Sequence, residues 1–126
     1  MTVKKNTIVE SEDIAVTEAL TLLWSDKVNI FDKLSAQFTV ATHDLDQFVI
    51  KGRVSPNGPL QTLYSAAGSY TTPTGRLETC SGDLTVQAAA STGSFDLDVS
   101  GLYSVSLYAA SVHSGGSVVD LYLGLR

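Results

Sequence analysis

The residue types most often used for nucleophilic catalysis are scarce in this chain, which contains one cysteine, Cys80, and two histidines, His43 and His113. A thiol nucleophile needs a base within hydrogen-bond reach, and the base needs a third group that orients it. Both histidines fall in predicted turns and Cys80 falls in a predicted loop, so no spacing brings them together. We therefore expect no catalytic cysteine–histidine pair, and we predict that Cys80 is a free thiol with no role in activity.

Two pairs of aspartates, each spaced two residues apart, are the other candidates for chemistry: Asp44 with Asp46, and Asp96 with Asp98. On a strand such a pair projects from one side, where two carboxylates can bind Ca²⁺ or act as acid and base in glycoside cleavage. Apolar residues alternate with the second pair, so the simpler interpretation is the solvent-facing side of a strand. No EF-hand, phosphate-loop, zinc-protease or nucleophile-elbow motif is present. We therefore predict no catalytic residue, no metal or cofactor site and no enzymatic activity.

Composition limits the classes of protein and partner that the chain can represent. Its 126 residues, of which 44% are hydrophobic and 17% charged, suit one folded domain with its own core. The net charge is −5 and the eight basic residues are scattered, which argues against nucleic-acid binding. No apolar run reaches the roughly 20 residues that span a bilayer, and no apolar core follows Lys4 and Lys5. We therefore expect neither a membrane segment nor a signal peptide.

Apolar and polar residues alternate along most of the chain, as they do in strands with one buried and one solvent-facing side. No segment keeps the spacing of an amphipathic helix, although a helical turn is possible in the first run. The alternating runs are residues 14–24, 34–40, 48–54, 84–88, 95–99, 103–109 and 119–125. Seven or eight short strands predict an all-β domain, an antiparallel β-sandwich of the jelly-roll kind, with a partly open barrel as the alternative.

The segments between these runs predict the rest of the organisation. Turns are expected at 43–46, 55–59 and 113–117, and the last of them would join the final two strands as a hairpin. Residues 1–13 are polar and are predicted to form an N-terminal arm, so that the sandwich domain spans 14–126. Residues 65–83 are rich in Gly, Ser and Thr and are predicted to form a long loop, which is either functional or ordered by a partner.

The final two strands carry the candidate contact surface. Tyr108 and Tyr122 fall on their polar sides, and as neighbours they would form a platform for another protein chain or for a stacked sugar. Residues 102–112 contain no charged residue, and Asp120 is the one charge within 118–125. Because open sheet edges are usually covered or charged, we predict that this edge or face meets another chain.

Two segments resemble small β-sandwich structural proteins of tailed-bacteriophage virions. In residues 45–58, LDQFVIKGRVSPNG, a strand ends in a Ser-x-Asn-Gly turn, and in residues 95–107, FDLDVSGLYSVSL, a strand pair is joined through Val-Ser-Gly. The resemblance covers roughly residues 34–125. The polar start of the chain, its low content of charge and its many Ser, Thr and Gly residues agree with this resemblance.

The resemblance implies a non-enzymatic capsid decoration (cement) protein that stabilises the head lattice. The alternatives are a neck or tail accessory protein and a carbohydrate-binding β-sandwich module. The implied partners are the major capsid protein or other virion proteins and further copies of the chain, with a trimer favoured, and the implied location is the virion after synthesis in the host cytoplasm. The residues expected to make these contacts lie in the arm, the long loop and the final strands: Thr2, Val3, Lys4, Lys5, Ile8, Tyr70, Arg76, Tyr108 and Tyr122.

Overall fold

The computed structural model describes residues 7–67, 69–71, 76–81, 92–112 and 115–126. They form ten strands: β1 (Thr7–Val16), β2 (Thr21–Lys27), β3 (Lys33–Ala41), β4 (Gln47–Arg53), β5 (Gln61–Ala67), β6 (Ser69–Thr71), β7 (Leu77–Ser81), β8 (Thr92–Asp98), β9 (Ser104–Ala110) and β10 (Ser117–Leu125). Among these residues there is no helix with the length and apolar character needed to cross a membrane.

The strands pair antiparallel in two sheets of five. Sheet A has the order β1-β10-β3-β8-β7, and sheet B has the order β2-β9-β4-β5-β6. The orders β1-β10-β3-β8 and β2-β9-β4-β5 are those of an eight-stranded jelly roll, and β7 and β6 each add one strand to a sheet edge. The predicted all-β, antiparallel, jelly-roll-like sandwich is therefore confirmed.

The core lies between the two sheets and is filled by the inward-facing residues of both. Phe38 of sheet A stacks on Phe48 of sheet B with ring centroids 5.0 Å apart, and Phe95 meets Phe48 edge-on at 5.8 Å. Gly93 lies opposite Phe38 in the β3–β8 register. A Cβ atom at this glycine would lie 2.4 Å from the Phe38 ring, so the missing side chain makes room for the central aromatic cluster.

The three predicted turns join strands in two different ways. The turn at 55–59 links β4 to β5, which pair in sheet B, and the Gly58 N–H donates to the Ser55 carbonyl at 3.1 Å. The turns at 43–46 and 113–117 instead connect strands that belong to different sheets. The hairpin predicted between the final two strands is therefore wrong, because β9 lies in sheet B and β10 in sheet A.

The structure differs from the predicted arm, because β1 begins at Thr7 and pairs with β10. As an edge strand, β1 has one neighbour and one buried side, so it needs few apolar residues. Val9 packs against the core, whereas Ile8, Glu10 and Glu12 are exposed. Charged residues are common on edge strands because they hinder unwanted pairing. Residues 7–13 therefore belong to the sandwich, and the arm prediction for residues 1–6 lies outside the described residues.

The stretch predicted as one long loop, residues 65–83, contains the end of β5, all of β6 and all of β7. β6 pairs with β5, and β7 pairs with β8, so both short strands lie at sheet edges. Small polar residues are sufficient at an edge, and their weak alternation explains why the sequence pattern indicated a loop. The strand predicted at 84–88 lies outside the described residues.

The run predicted as one strand over 14–24 is divided between the two sheets. β1 ends at Val16 in sheet A, and β2 begins at Thr21 in sheet B. A shift in the β2–β9 register between Leu22 and Trp24 lets Leu23 enter the core, while Leu22 remains 50% exposed. The extra residue of this bulge moves the side chains out of simple alternation.

Candidate partner-binding surfaces

The structure does not bring Cys80 close to His43. Cys80 lies in β7, where its backbone is paired with that of Phe95 in β8, and Phe95 is paired in turn with Ala36 in β3. His43 lies beyond Ala41, where β3 ends. Because Ala41 is about 17 Å along the strand from Ala36, Cys80 and His43 are far beyond hydrogen-bond distance. His113 lies outside the described residues.

The first aspartate pair ties a loop to a strand end. The Asp46 carboxylate accepts from the Val112 N–H at 2.6 Å, and the Asp44 carbonyl accepts from the Ser111 hydroxyl at 2.7 Å. These bonds attach the β3–β4 connection to the residues that follow β9. Within the part of the chain that the structure describes, no three His, Cys, Asp or Glu side chains form a group suited to a metal ion.

The second aspartate pair lies on the outer side of β8, as its alternation predicts. Asp96 accepts from the Ser35 hydroxyl at 2.5 Å, and Asp98 accepts from both the hydroxyl and the N–H of Ser100, at 2.5 and 3.0 Å. The Ser100 bonds, followed by the nearby Arg76 charge, lower the pKa of Asp98. Arg76, a predicted contact residue, donates to the carbonyls of Ser100 and Asp98 at 2.8 and 3.2 Å, so it also stabilises this turn.

The other predicted contact residues fall in three situations. Ile8 lies on the edge strand β1 and is 78% exposed. The backbone of Tyr70 lies in β6, and nothing is described for its side chain. Four residues of the predicted arm lie outside the described residues: Thr2, Val3, Lys4 and Lys5.

The platform predicted from Tyr108 and Tyr122 does not form. Tyr108 lies on the outer side of sheet B, and Tyr122 lies on the outer side of sheet A, so the two rings occupy opposite faces of the sandwich. The strands that carry them are also central in their sheets, since β9 lies between β2 and β4, and β10 lies between β1 and β3. Their low charge therefore does not mark an open edge, and each tyrosine belongs to a separate surface.

The surface around Tyr122 is acidic. Glu10 is its register partner on β1, and Asp120 precedes it by two residues on the same side of β10. The Asp120 carboxylate accepts from the Asp13 N–H at 2.8 Å and holds the bulge where Asp13 has a φ of 56°. Desolvation, and after it the charges of Glu12, Asp120, Glu10 and Asp13, raise the pKa of Tyr122. We call these four carboxylates and Tyr122 the acidic face.

A shallow depression of about 240 Å³ lies beside Tyr122. Gly124 leaves this space open, because a Cβ atom there would have no other heavy atom within 4 Å. Ser35 and Gln37 line the neighbouring strand, and the Ser35 hydroxyl accepts from Arg126 at 2.9 Å. The depression thus combines an aromatic ring with hydroxyl and amide groups.

The outer side of sheet B has an apolar row at its centre. Leu22, Tyr108 and Val49 are register partners across β2, β9 and β4. Val49 is 7% exposed although it points away from the core. Because Val49 lies between Phe48 and Ile50, residues 48–50 are three consecutive apolar residues. This break in alternation is the feature of the sequence from which the apolar row on sheet B could have been predicted.

Three cations lie to one side of this row, towards the start of β9. Lys51 Nζ lies 5.2 Å from the ring centroid of Tyr108, and Lys27 Nζ lies 5.9 Å from that of Tyr103. Both distances are within the range of a cation–π contact. Ser104 of β9 has Arg53 of β4 as its register partner on one side and Lys27 of β2 on the other. We call these three cations, with Leu22, Tyr108 and Val49, the basic face.

Charge is therefore divided between the two sheets. The strands of sheet A contain seven acidic residues and one basic residue, a net charge of −6. The strands of sheet B contain one acidic residue and three basic residues, a net charge of +2. In the linear sequence these residues are interleaved, so the division becomes visible only when each strand is assigned to its sheet.

Comparison with known proteins identifies the fold. No protein-family model and no curated protein sequence matches the chain. Its structure is similar to the crystal structure of the SPBc2 prophage-derived protein YomS, with a TM-score of 0.60 and 13% identity over 100% of this chain and 99% of that one.

A second solved structure shares the same architecture. It is that of Bacillus endospore appendages, described as a family of disulfide-linked pili, with a TM-score of 0.52 and 12% identity over 100% of this chain and 94% of that one. The chain thus has the fold of a prophage-derived protein and of an appendage protein, each matched over nearly its whole length.

Proposed function

We propose that this protein is a non-enzymatic structural subunit of a tailed-bacteriophage or prophage-derived particle. The observation that carries the proposal is the pair of outer faces, each with a half-buried aromatic ring beside a cluster of like charges, acidic on sheet A and basic on sheet B. An apolar centre within a polar rim is the composition of protein-binding surfaces. The full-length fold similarity to a prophage-derived protein supports the phage part of the proposal.

The positions of the candidate catalytic groups support a role without chemistry. The four aspartates singled out by their spacing all take part in hydrogen bonds or other contacts within the fold. Cys80 and His43 lie apart. The chemistry of the surface is therefore that of recognition, and structural assembly is the function that it supports best.

Within this class, capsid decoration is the specific role that we propose. The partner is the major capsid protein, the location is the virion, and the contact begins at the β1 edge, where Ile8 is exposed. An edge strand offers unpaired N–H and C=O groups to a neighbouring chain. Residues 1–6 precede β1 in the sequence, and we assign to them the continuation of the contact onto a capsid subunit.

Immunogold electron microscopy of purified particles tests the proposal. Antibodies against the protein should label particle heads at regular density. Label confined to the neck or tail would show that the protein is an accessory protein and not a decoration protein. Purified particles that contain none of the protein would contradict the proposed structural function.

Deleting residues 1–6 tests the proposed arm. The deletion should leave the unfolding transition unchanged and weaken particle binding at least tenfold. The longer deletion of residues 1–13 is the comparison, because it removes most of β1 and exposes the edge of β10. If the protein that begins at Thr7 binds particles as tightly as the full chain does, residues 1–6 take no part in the contact.

A carbohydrate-binding role is the second candidate, and the depression beside Tyr122 favours it. Sugars stack their apolar faces on aromatic rings and hydrogen-bond to hydroxyl and amide groups such as those of Ser35 and Gln37. A glycan array measures this directly. Binding that Tyr122→Ala removes and Tyr108→Ala leaves intact would establish it, and an array without binding would exclude it for the glycans displayed.

The similarity to an appendage protein also supports assembly from many copies. A continuous disulfide-linked polymer would require at least two cysteines in each subunit, since each thiol forms one disulfide. This chain has one cysteine. One cysteine can link two copies but cannot extend a polymer, so assembly of many copies of this chain would need noncovalent surfaces.

A further inference from the structure

We propose that copies of this chain stack on one another through unlike faces, the acidic face of one copy against the basic face of the next. The inference names a second copy of the chain as a partner for the structural role proposed above. It rests on the charge of the two faces and on their positions in the sandwich.

The first step is the sign of the charges. The acidic face presents Glu10, Glu12, Asp13 and Asp120, which lie around Tyr122 on β1 and β10. The basic residues Lys33 and Arg126 lie where β3 begins and β10 ends, away from Asp120. On sheet B, the strands β9, β4, β5 and β6 contain no acidic residue at all. Opposed faces of unlike sign attract and orient each other, whereas like charges placed opposite one another are strongly unfavourable.

The second step excludes contact between two identical faces. A twofold contact centred on the acidic face would bring four carboxylates close to the same four carboxylates, and one centred on the basic face would bring three cations close to three cations. Two charges about 4 Å apart repel by roughly 1 kcal/mol even in water and by more near a protein surface. The symmetric dimer is therefore disfavoured on both faces, and the unlike contact is favoured.

The third step is the apolar part of each face. Leu22, half exposed, and Tyr108 offer an apolar centre on sheet B. Tyr122 and the depression left by Gly124 offer a ring and a recess on sheet A. A projecting leucine and a recess of this kind allow close packing, so the contact need not depend on charge alone.

The fourth step is direction. The two sheets pack against each other, so their outer faces point to opposite sides of the sandwich. A contact between unlike faces leaves one free face at each end of any assembly, and such a heterologous contact continues unless its rotation closes a ring. With the faces on opposite sides, the geometry favours an open stack over the trimer that the resemblance to virion proteins implies.

Charge reversal on each face tests this proposal. One variant is Glu10→Lys with Glu12→Lys, both exposed on the β1 edge; the other is Lys27→Glu with Lys51→Glu on sheet B. Asp120 is left intact, because it holds the Asp13 bulge. Sedimentation velocity at low salt should show multimers for the native protein and monomers for either variant alone, with association weakened at least tenfold.

Mixing the two variants provides the decisive measurement. An equimolar mixture should recover assembly, because each altered face then meets a face of opposite sign. Sodium chloride at about 1 M, where the screening length is roughly 3 Å, should weaken both the native and the mixed assemblies. Glu18→Lys, exposed in the β1–β2 turn and on neither face, is the control for position; it changes the net charge by half as much as each double variant and should assemble like the native protein.

Each contrary outcome has its own meaning. If the sheet B variant alone still associates while the sheet A variant does not, the contact joins two acidic faces and the proposal is wrong. If both variants are folded and mixing does not restore assembly, the acidic face of one copy does not contact the basic face of the next, and the proposal is wrong. A native protein that remains monomeric at millimolar concentration also overturns the stacking proposal, but particle labelling would still report separately on the structural function.

Discussion

The two sheets of this sandwich have nearly the same architecture and very different outer surfaces. Each has five antiparallel strands and contributes inward-facing apolar side chains to one core. Outside, the strands of one sheet carry a net charge of −6 and those of the other carry +2. Packing restricts the inner positions to similar residues in both sheets, whereas the outer positions are free to follow the partners that they meet. The difference between the faces is therefore the part of the molecule that informs on function.

The largest expected effect contrasts the inner and outer sides of one strand. Phe48 contacts the aromatic rings of Phe38 and Phe95, and its neighbour Val49 points outward. We expect Phe48→Ala to lower the free energy of unfolding by about 3–5 kcal/mol, because it leaves a large cavity. Val49→Ala should cost about 1 kcal/mol, because less apolar area is lost. Urea unfolding measures both, and equal losses would contradict this division of β4.

A pair of glycines gives the next contrast. At Gly93 an added methyl group would collide with the Phe38 ring, whereas at Gly124 on the outer side of sheet A it would meet nothing within 4 Å. We expect Gly93→Ala to destabilise the fold by roughly 1–3 kcal/mol, as overpacking of a core does. Gly124→Ala should be neutral or stabilise by up to about 1 kcal/mol. Thermal unfolding compares the two, and a harmless Gly93→Ala would show that the core is loosely packed there.

The same substitution on both faces should have unequal effects. Tyr122→Glu adds a negative charge among Glu10, Glu12 and Asp120, while Tyr108→Glu places one beside Lys51. Both changes lose an aromatic ring, so the difference between them reports the charge of each face. At low salt we expect Tyr122→Glu to be more destabilising by about 1 kcal/mol, and added salt should reduce the gap. If Tyr108→Glu proves the more harmful change, the assignment of charge to the two faces is wrong.

The smallest expected effect concerns pH. Hydrogen bonds from Ser100 keep the pKa of Asp98 below its ordinary value of 3.8. The resulting stabilisation is complete above that value and is lost as the pH falls through the lowered pKa of the folded state. Ser100→Ala should raise the Asp98 pKa towards 3.8, as carboxyl NMR titration measures, and should reduce stability at pH 5 more than at pH 2. An unchanged pKa in the variant would show that the hydroxyl bond does not hold this carboxylate.

Several features of the fold were predictable because they depend on residues close in sequence. The alternation in 34–40 and 95–99 identified strands and their buried sides correctly, and Ser-Pro-Asn-Gly identified the turn between β4 and β5. The short edge strands β6 and β7 and most of β1 were not predicted, since apolar and polar residues alternate only weakly along them. For the candidate surfaces, alternation correctly placed Tyr108 and Tyr122 on outward sides but could not show that these sides belong to different faces.

What the sequence determined by itself was the all-β class, the jelly-roll-like sandwich and the inward side of most strands, because a period of two residues is a property of a single strand. The tertiary structure decided which strands are neighbours. β9 and β10 follow each other directly in the chain, yet the jelly-roll order places them in different sheets, each at a central position. Strand neighbours are selected by contacts between distant segments, and the separation of acidic from basic residues arises only when those contacts gather them onto opposite faces.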